Sequence, residues 1–285
     1  MFGLALSGGG IKGFAHIGVL KALHRYGLKP TWISGASAGA IVAALYSIGY
    51  SPQDLESLAY SQYKNLIDPN YYGMVKSVIQ FAIGNEVTLD GIIKGDKIEE
   101  LFDTLTGGLS IYEVDIPLAI TAVDINNGRT VIFINNKNRI KNKGEIEYKD
   151  DVSLAKAMRA SMSIPVIFSP KFISGMRLVD GGLTDNLPVY VLKQMGAYKV
   201  LGVYLGYSGE TRCEVDNIFE IASQSLDIMA YNITRLKSIG ADCILKPDVY
   251  DIGTTPLNSQ KISEYIDRGY GAVKINIDMI KKVFK

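Results

Sequence analysis

Ile33-Ser34-Gly35-Ala36-Ser37-Ala38-Gly39 lies between an apolar run and a helix-like run. In that setting its Gly-x-Ser-x-Gly spacing predicts a sharp strand-to-helix turn that lifts a serine hydroxyl out of the backbone. Two glycines and two alanines keep the turn free of bulk, so the chain can bend tightly and a substrate can approach. Ser37 would stand at a helix N-terminus, where free N–H groups and the helix dipole favour a developing negative charge. One reading makes Ser37 a nucleophile. The other makes the stretch a turn of small residues, since five-residue patterns recur by chance.

Immediately upstream, Phe2 to Ser7 is apolar without alternation, the pattern of a buried strand. Gly8-Gly9-Gly10-Ile11-Lys12-Gly13 follows, and then a helix from Phe14 to Tyr26 with Ile17, Leu20, Ala22 and Leu23 at helical spacing and Gly27 as its stop. Thr31 to Ser34 is a second strand. Strand, glycine loop, helix, strand is a βαβ unit, which predicts parallel pairing. Downstream, Ala38 to Gly49 reads as a buried helix, and Ser51-Pro52 as the cap of a helix to about Tyr60. Gln62 to Asn85 is aromatic and apolar (Tyr63, Tyr71, Tyr72, Phe81, Ile83), the makeup of a loop and core helix or of a flap over a site.

Further helices are expected over Lys94–Thr106, Val152–Ser161, Pro188–Met195, Asn217–Ile239 and Ser259–Lys282. Further strands are expected over Ile116–Val123, Thr130–Ile134, Val166–Phe172, Met176–Val179, Val200–Leu205 and Cys243–Lys246. Asn127-Gly128 is a hairpin signal, and Asn135 to Asp151 is a polar, lysine-rich loop. The alternation argues for an α/β fold: a three-layer α/β/α sandwich on a mainly parallel sheet, as one domain over residues 1–285.

Composition narrows the function. With 30 Lys+Arg against 29 Asp+Glu, the charge balance points neither to nucleic acid nor to a disordered tail. Cys213 and Cys243 have no metal or disulfide spacing. No basic n-region precedes an apolar segment, and no uncharged apolar run reaches the roughly 18 residues of a membrane span. A cytoplasmic protein is expected, with export lacking a cleaved signal left open. The closing segment, with Ile275, Ile277, Met279, Ile280, Val283 and Phe284 beside Lys281, Lys282 and Lys285, has the makeup of a peripheral membrane contact. Packing against the core is the preferred expectation for it. No protein partner is readable.

Gly8, Gly10 and Gly13 satisfy the dinucleotide pattern, but that fold wants an acid at the end of the second strand, about 20 positions on. Thr31 to Ser34 ends without one and runs into the serine motif. A phosphate P-loop fails too, because Lys12 is followed by Gly13. A nest of backbone N–H groups at a helix start remains, suited to an oxyanion. In a βαβ unit it would lie beside Ser37, as acyl transfer requires.

A serine nucleophile needs a base. The two histidines, His16 and His24, both precede Ser37 on the first helix, so the usual Ser-acid-His order is excluded by counting. His16 is expected to pack or to bond a neighbouring element, and His24 to be exposed. A carboxylate can serve instead. Asp180 stands out because Leu178-Val179 delivers it from a buried strand and Gly181-Gly182 lets a partner backbone come close. Desolvation there would raise its pKa and make it a better base. Asp124, Asp150, Asp151 and Asp185 are the rivals.

Taken together, these motifs resemble the patatin-like phospholipases. The resemblance rests on Gly8 to Gly13, Gly35 to Gly39, Ala160-Ser161 to Pro165 before Phe168 and Pro170, and Asp180-Gly181-Gly182 with Asn186 and Pro188. It spans residues 2–205. It implies a Ser-Asp dyad with Ser37 as nucleophile, Asp180 as base and the Gly8, Gly9 and Gly10 backbone as oxyanion hole. Lys12 matches the family's basic position, and Gly35, Gly39, Gly181 and Gly182 support the site. The implied substrate is a phospholipid, lysophospholipid or other lipid ester, cleaved with no metal or cofactor. A non-catalytic lipid-binding module on the same fold, or an acyltransferase using the same dyad, are the alternatives.

Overall fold

The non-alternating apolar runs on either side of the glycine loop become the middle of a sheet. The computed structural model describes residues 1–63, 90–135, 140, 144–210, 215–216, 218–249 and 257–285. From residue 64 to 89 the aromatic stretch lies outside the described residues, as does Cys213. In chain order the first elements are β1 (Gly3–Leu6), α1 (Phe14–Arg25), β2 (Trp32–Ala36), α2 (Ala38–Ser47), α3 (Pro52–Gln62) and α4 (Asp96–Thr106). Then come β3 (Leu118–Asp124), β4 (Arg129–Ile134), β5 (Glu147–Lys149), α5 (Leu154–Ser161), β6 (Lys171–Ile173) and β7 (Met176–Asp180). The chain continues with α6 (Gly182–Asp185), α7 (Val189–Gln194), β8 (Val200–Val203), α8 (Ile218–Lys237), β9 (Cys243–Leu245), α9 (Ser259–Ile275) and α10 (Ile277–Phe284).

The strand order is β5-β4-β3-β2-β1-β8-β9, with β7 paired to β3 and β6. β1 pairs parallel with both β2 and β8, and β2 parallel with β3. This is the expected βαβ unit in an α/β sandwich. β1 and β3 are buried along their whole length, as parallel strands covered on both faces should be. One core joins α1, α2, α5 and α9 to a sheet face through Leu20, Leu23, Ala43, Met158 and Ile266. The other packs Leu187, Val189, Val191 and Leu192 against Ala5, Ala119, Ile132 and Ile134.

The pairing of β3 positions the site. On one edge it pairs along its length with β4, antiparallel. On the other edge β2 occupies Leu118 to Thr121, running parallel, and β7 occupies Ala122 to Asp124, running antiparallel. Ala36 sits opposite Thr121, and Asp180 opposite Ala122. Two strands in one lane of the sheet therefore arrive from opposite directions and end facing each other. The residue after Ala36 is Ser37.

Several local expectations need correction. Val166–Phe172 does not extend as one strand: Val166 sits at φ 72, and Pro170 interrupts before Lys171–Ile173. The closing helix is two, because Asn276 leaves the helical region (φ −102, ψ 13) and turns its side-chain amide onto the Ala272 carbonyl. Glu147–Lys149 is a strand within the polar loop, paired to β4. Ile280 and Phe284 are buried, and the Phe284 ring lies 4.9 Å from that of Phe2, so the closing segment packs on the core as preferred. Among the described residues no helix is long and apolar enough to cross a membrane.

Ile120 lies fully buried in the middle of β3, between β2 and β4. Ile120→Ala is expected to cost about 2–5 kcal/mol of stability, measured by urea unfolding. A loss under about 1 kcal/mol would contradict the central place given to β3.

Candidate active site

Ser37 is the N-cap of α2 and has φ 53, ψ −123. Positive φ is uncommon outside glycine, and here it turns the chain sharply out of β2. The turn closes only because Gly35 and Gly39 lack side chains. A Cβ on Gly35 would run into the Gly39 carbonyl, and one on Gly39 would come within 2.6 Å of the Ser7 carbonyl. Neither position leaves room for a side chain. Ser37 is 4% exposed and stands over the first turn of α2.

Asp180 is the last residue of β7. Its Oδ1 accepts the Gly182 N–H at 2.7 Å. Its own N–H donates to the Ser163 carbonyl at 2.9 Å. Gly181 packs where a Cβ would strike the backbone of Thr121, which holds this turn against β3. Burial pushes the Asp180 carboxyl up to about 6, against the opposing pull of hydrogen bonds from the Ser37 side chain and the Gly182 N–H. Serine hydroxyl and carboxylate therefore face each other in a desolvated setting.

The glycine loop lies against this pair. A Cβ on Gly8 would lie 3.1 Å from the Ser37 Cβ and 2.6 Å from Asn186 Oδ1. Gly8 departs from its expected role, because its N–H is already donated to Asn186 Oδ1 at 3.0 Å and to the Asn186 carbonyl at 3.3 Å. The N–H groups of Gly9 and Gly10 find no acceptor among the described residues. Of the three consecutive glycines, those two keep unpaired N–H groups. Lys12 is half-buried on the short helical turn Gly10–Gly13, and its N–H closes that turn onto the Gly9 carbonyl at 3.2 Å.

Neither histidine is drawn to the serine. His16 is fully buried and its Nε2 donates to the Ser7 carbonyl at 2.8 Å, as a residue bonding a neighbouring element. Burial lowers its pKa to about 4, so it stays neutral. His24 is half-buried rather than exposed, 2.9 Å from the Tyr46 hydroxyl. Among the rival acids, Asp124 organises the β3–β4 hairpin by accepting from Asn126 and Asn127. Asp185 is buried and its pKa is also raised to about 6, by burial against an opposing Lys237. Among the described residues its carboxylate makes no bond to Ser37.

Three further residues shape the site. Asn186 ties the glycine loop to the segment after Asp180. Ser161 Oγ accepts the Ser37 N–H at 2.8 Å. The buried Arg159 guanidinium bonds the carbonyls of Lys94, Gly95 and Ser169 and the Ser163 hydroxyl. Ser161 and Asn186 fall within the motifs quoted above, which could have flagged them. Their side-chain-to-backbone bonds cross from one distant segment to another, so spacing alone did not reveal them.

The sequence profile described as Patatin-like phospholipase matches residues 4–193. An uncharacterized NTE family protein of Mycobacterium tuberculosis is 28% identical over 208 residues, 72% of this chain and 49% of that protein. A protein named lysophospholipase NTE1 from Lodderomyces elongisporus is 27% identical over 204 residues, 72% of this chain and 12% of that protein. The chain spans about half the length, 49%, of the first curated relatives it matches. Among solved structures, VipD from Legionella pneumophila shares the fold, with TM-score 0.60 and 17% identity over 98% of this chain and 67% of that one.

A carboxyl whose folded pKa is raised holds its proton more tightly folded than unfolded. Between the ordinary 3.8 and about 6 the fold keeps a proton that the unfolded chain releases, so stability falls as pH rises through that window and stays lower above it. Asp180→Asn is expected to raise stability at pH 8 by up to roughly 3 kcal/mol and to change it little at pH 4. Thermal unfolding at the two pH values checks this. Equal effects at both would contradict the burial cost.

Proposed function

We propose that the chain, which belongs to the patatin-like phospholipase family, cleaves fatty-acyl esters through a Ser37–Asp180 dyad. At the level of the family it is a lipid hydrolase. The observation that carries the finer reading is the meeting of a strained, buried serine with a carboxylate whose pKa burial raises to about 6. A base is most effective when its pKa lies near the working pH and its bonding partner is the proton to be taken.

In the first step the Ser37 hydroxyl attacks the ester carbonyl while Asp180 accepts its proton. The carbonyl oxygen becomes an oxyanion facing the Gly9 and Gly10 N–H groups, with the dipole of α2 adding to their field. Collapse expels the alcohol, which takes the proton back from Asp180, and leaves an acyl group on Ser37. In the second step Asp180 takes a proton from water as it attacks the acyl carbonyl. Collapse of that intermediate returns the proton to Ser37 and releases the fatty acid. Losing one oxyanion donor in such sites typically costs about 10²–10³ in rate.

Phospholipid or lysophospholipid is the substrate class we favour. The family description and the relative named lysophospholipase support it. Ile11, half-exposed on the glycine loop beside the proposed donors, offers apolar surface where an acyl chain would approach.

Ser37→Ala is expected to abolish release of fatty acid from a panel of lysophospholipid and phospholipid esters while leaving the circular dichroism unchanged. Activity above a hundredth of wild type in the folded variant would refute the nucleophile. In wild type, kcat/KM is expected to fall about tenfold per pH unit below about 6, as Asp180 becomes protonated. A flat profile from pH 5 to 8 would remove Asp180 as the base.

A further inference from the structure

We infer that Ser161 is a positioning residue for the nucleophile, acting through the main chain of Ser37. Ser37 is held at φ 53, ψ −123, a conformation that a non-glycine residue keeps only when its surroundings enforce it. Its N–H is donated to Ser161 Oγ at 2.8 Å, in a place where Ser161 is fully buried. Water therefore has no access to replace this acceptor, and removing it leaves a buried N–H unpaired.

The same short segment also holds the base. The Ser161 carbonyl accepts the Gly181 N–H at 3.4 Å, and the Ser163 carbonyl accepts the Asp180 N–H at 2.9 Å. Residues 161–163 are thus a common mount for both members of the proposed dyad. Two of its three bonds are made by main-chain carbonyls and survive substitution. The bond to Ser37 is made by a side chain and does not. The mount is itself fixed: Arg159, two residues before it, bonds the Gly95 and Ser169 carbonyls at 3.1 and 2.8 Å and the Ser163 hydroxyl at 2.5 Å.

Among the described residues Ser161 bonds the Ser37 amide and not its hydroxyl. Its loss should therefore let the nucleophile's main chain relax away from Asp180 without altering how substrate is held. Misplacement of a reacting group by about 1 Å can cost on the order of 100-fold in rate.

The inference rests on the Ser37–Asp180 reading, and the experiment separates the two. Acylation by p-nitrophenyl butyrate is measured in wild type, Ser37→Ala, Ser161→Ala, Ser161→Thr and Ser161→Cys. Rates are expressed per active site titrated to completion with a fluorophosphonate, so that misfolded protein is not counted, except for Ser37→Ala, which has no nucleophile to titrate and is referred to its concentration of folded protein. Ser161→Ala is expected to slow acylation roughly 10- to 100-fold with KM within about twofold of wild type. Ser161→Thr, which keeps the acceptor oxygen, is expected to recover most of that loss. An unchanged acylation rate in Ser161→Ala, or equal losses in the alanine and threonine variants, would overturn the inference. If Ser161→Ala does not fold, Ser161→Cys carries the test. Cysteine keeps the shape of the side chain but offers a larger, only weakly accepting sulfur, and a wild-type rate in that variant would overturn the inference. Activity surviving in Ser37→Ala would sink the dyad itself, whereas a dead Ser37→Ala beside an unaffected Ser161→Ala would sink only the role of Ser161.

Discussion

On one edge of β3, backbone hydrogen bonds to Leu118–Thr121 are made by β2 and those to Ala122–Asp124 by β7. Neither strand can lengthen without displacing the other, so both stop at that junction. β2 leaves the sheet through Ser37 and β7 through Asp180 and Gly181. The proximity of a residue near position 37 to one near position 180 is thus a consequence of sheet pairing. The side chains then refine a meeting the backbone has already arranged. Asn186 draws the glycine loop onto the junction, and Ser161 fixes the amide of the residue at its tip.

Burial at that junction acts in two directions. It brings the Asp180 pKa to about 6, which suits a base working near neutrality, and the same desolvation lowers stability once the carboxyl is ionised. Ser37 adds backbone strain at the same point. Asp185 repeats the burial cost a few residues on. His16 works in the opposite sense. Its pKa is lowered from 6.5 to about 4, so the fold loses stability as pH falls through that window. The site is therefore a local concentration of unfavourable terms, which the surrounding apolar layers and the Arg159 bonds must hold in place.

Much of this was legible because it is local. The non-alternating runs at Phe2 to Ser7 and Ile116 to Val123 announce doubly covered strands, and the Gly-x-Ser-x-Gly spacing announces the turn between β2 and α2. Counting histidines removes the usual triad, and the apolar approach to Asp180 marks it as a buried carboxylate. Pairing between distant segments could not be read in the same way. Nothing in Met176–Asp180 says that it enters the lane of β2 from the opposite end, and Glu147–Lys149 is too short and polar to look like a strand. The glycine loop illustrates the limit most closely. Three consecutive glycines suggest three available N–H groups, but Asn186, distant in sequence, takes that of Gly8. Asn276 breaks the closing helix through a bond of its own side chain, in a stretch whose apolar spacing continues past it.

A buried carboxylate that takes the proton of a nucleophilic Ser37 would make the labelling of that serine depend on pH. The most direct test is to map a fluorophosphonate label by peptide mass spectrometry and to time its attachment between pH 5 and pH 8. The label is expected on Ser37 alone, attached progressively more slowly as pH falls below about 6. A label on another serine, or a rate on Ser37 that does not change across that range, would contradict it.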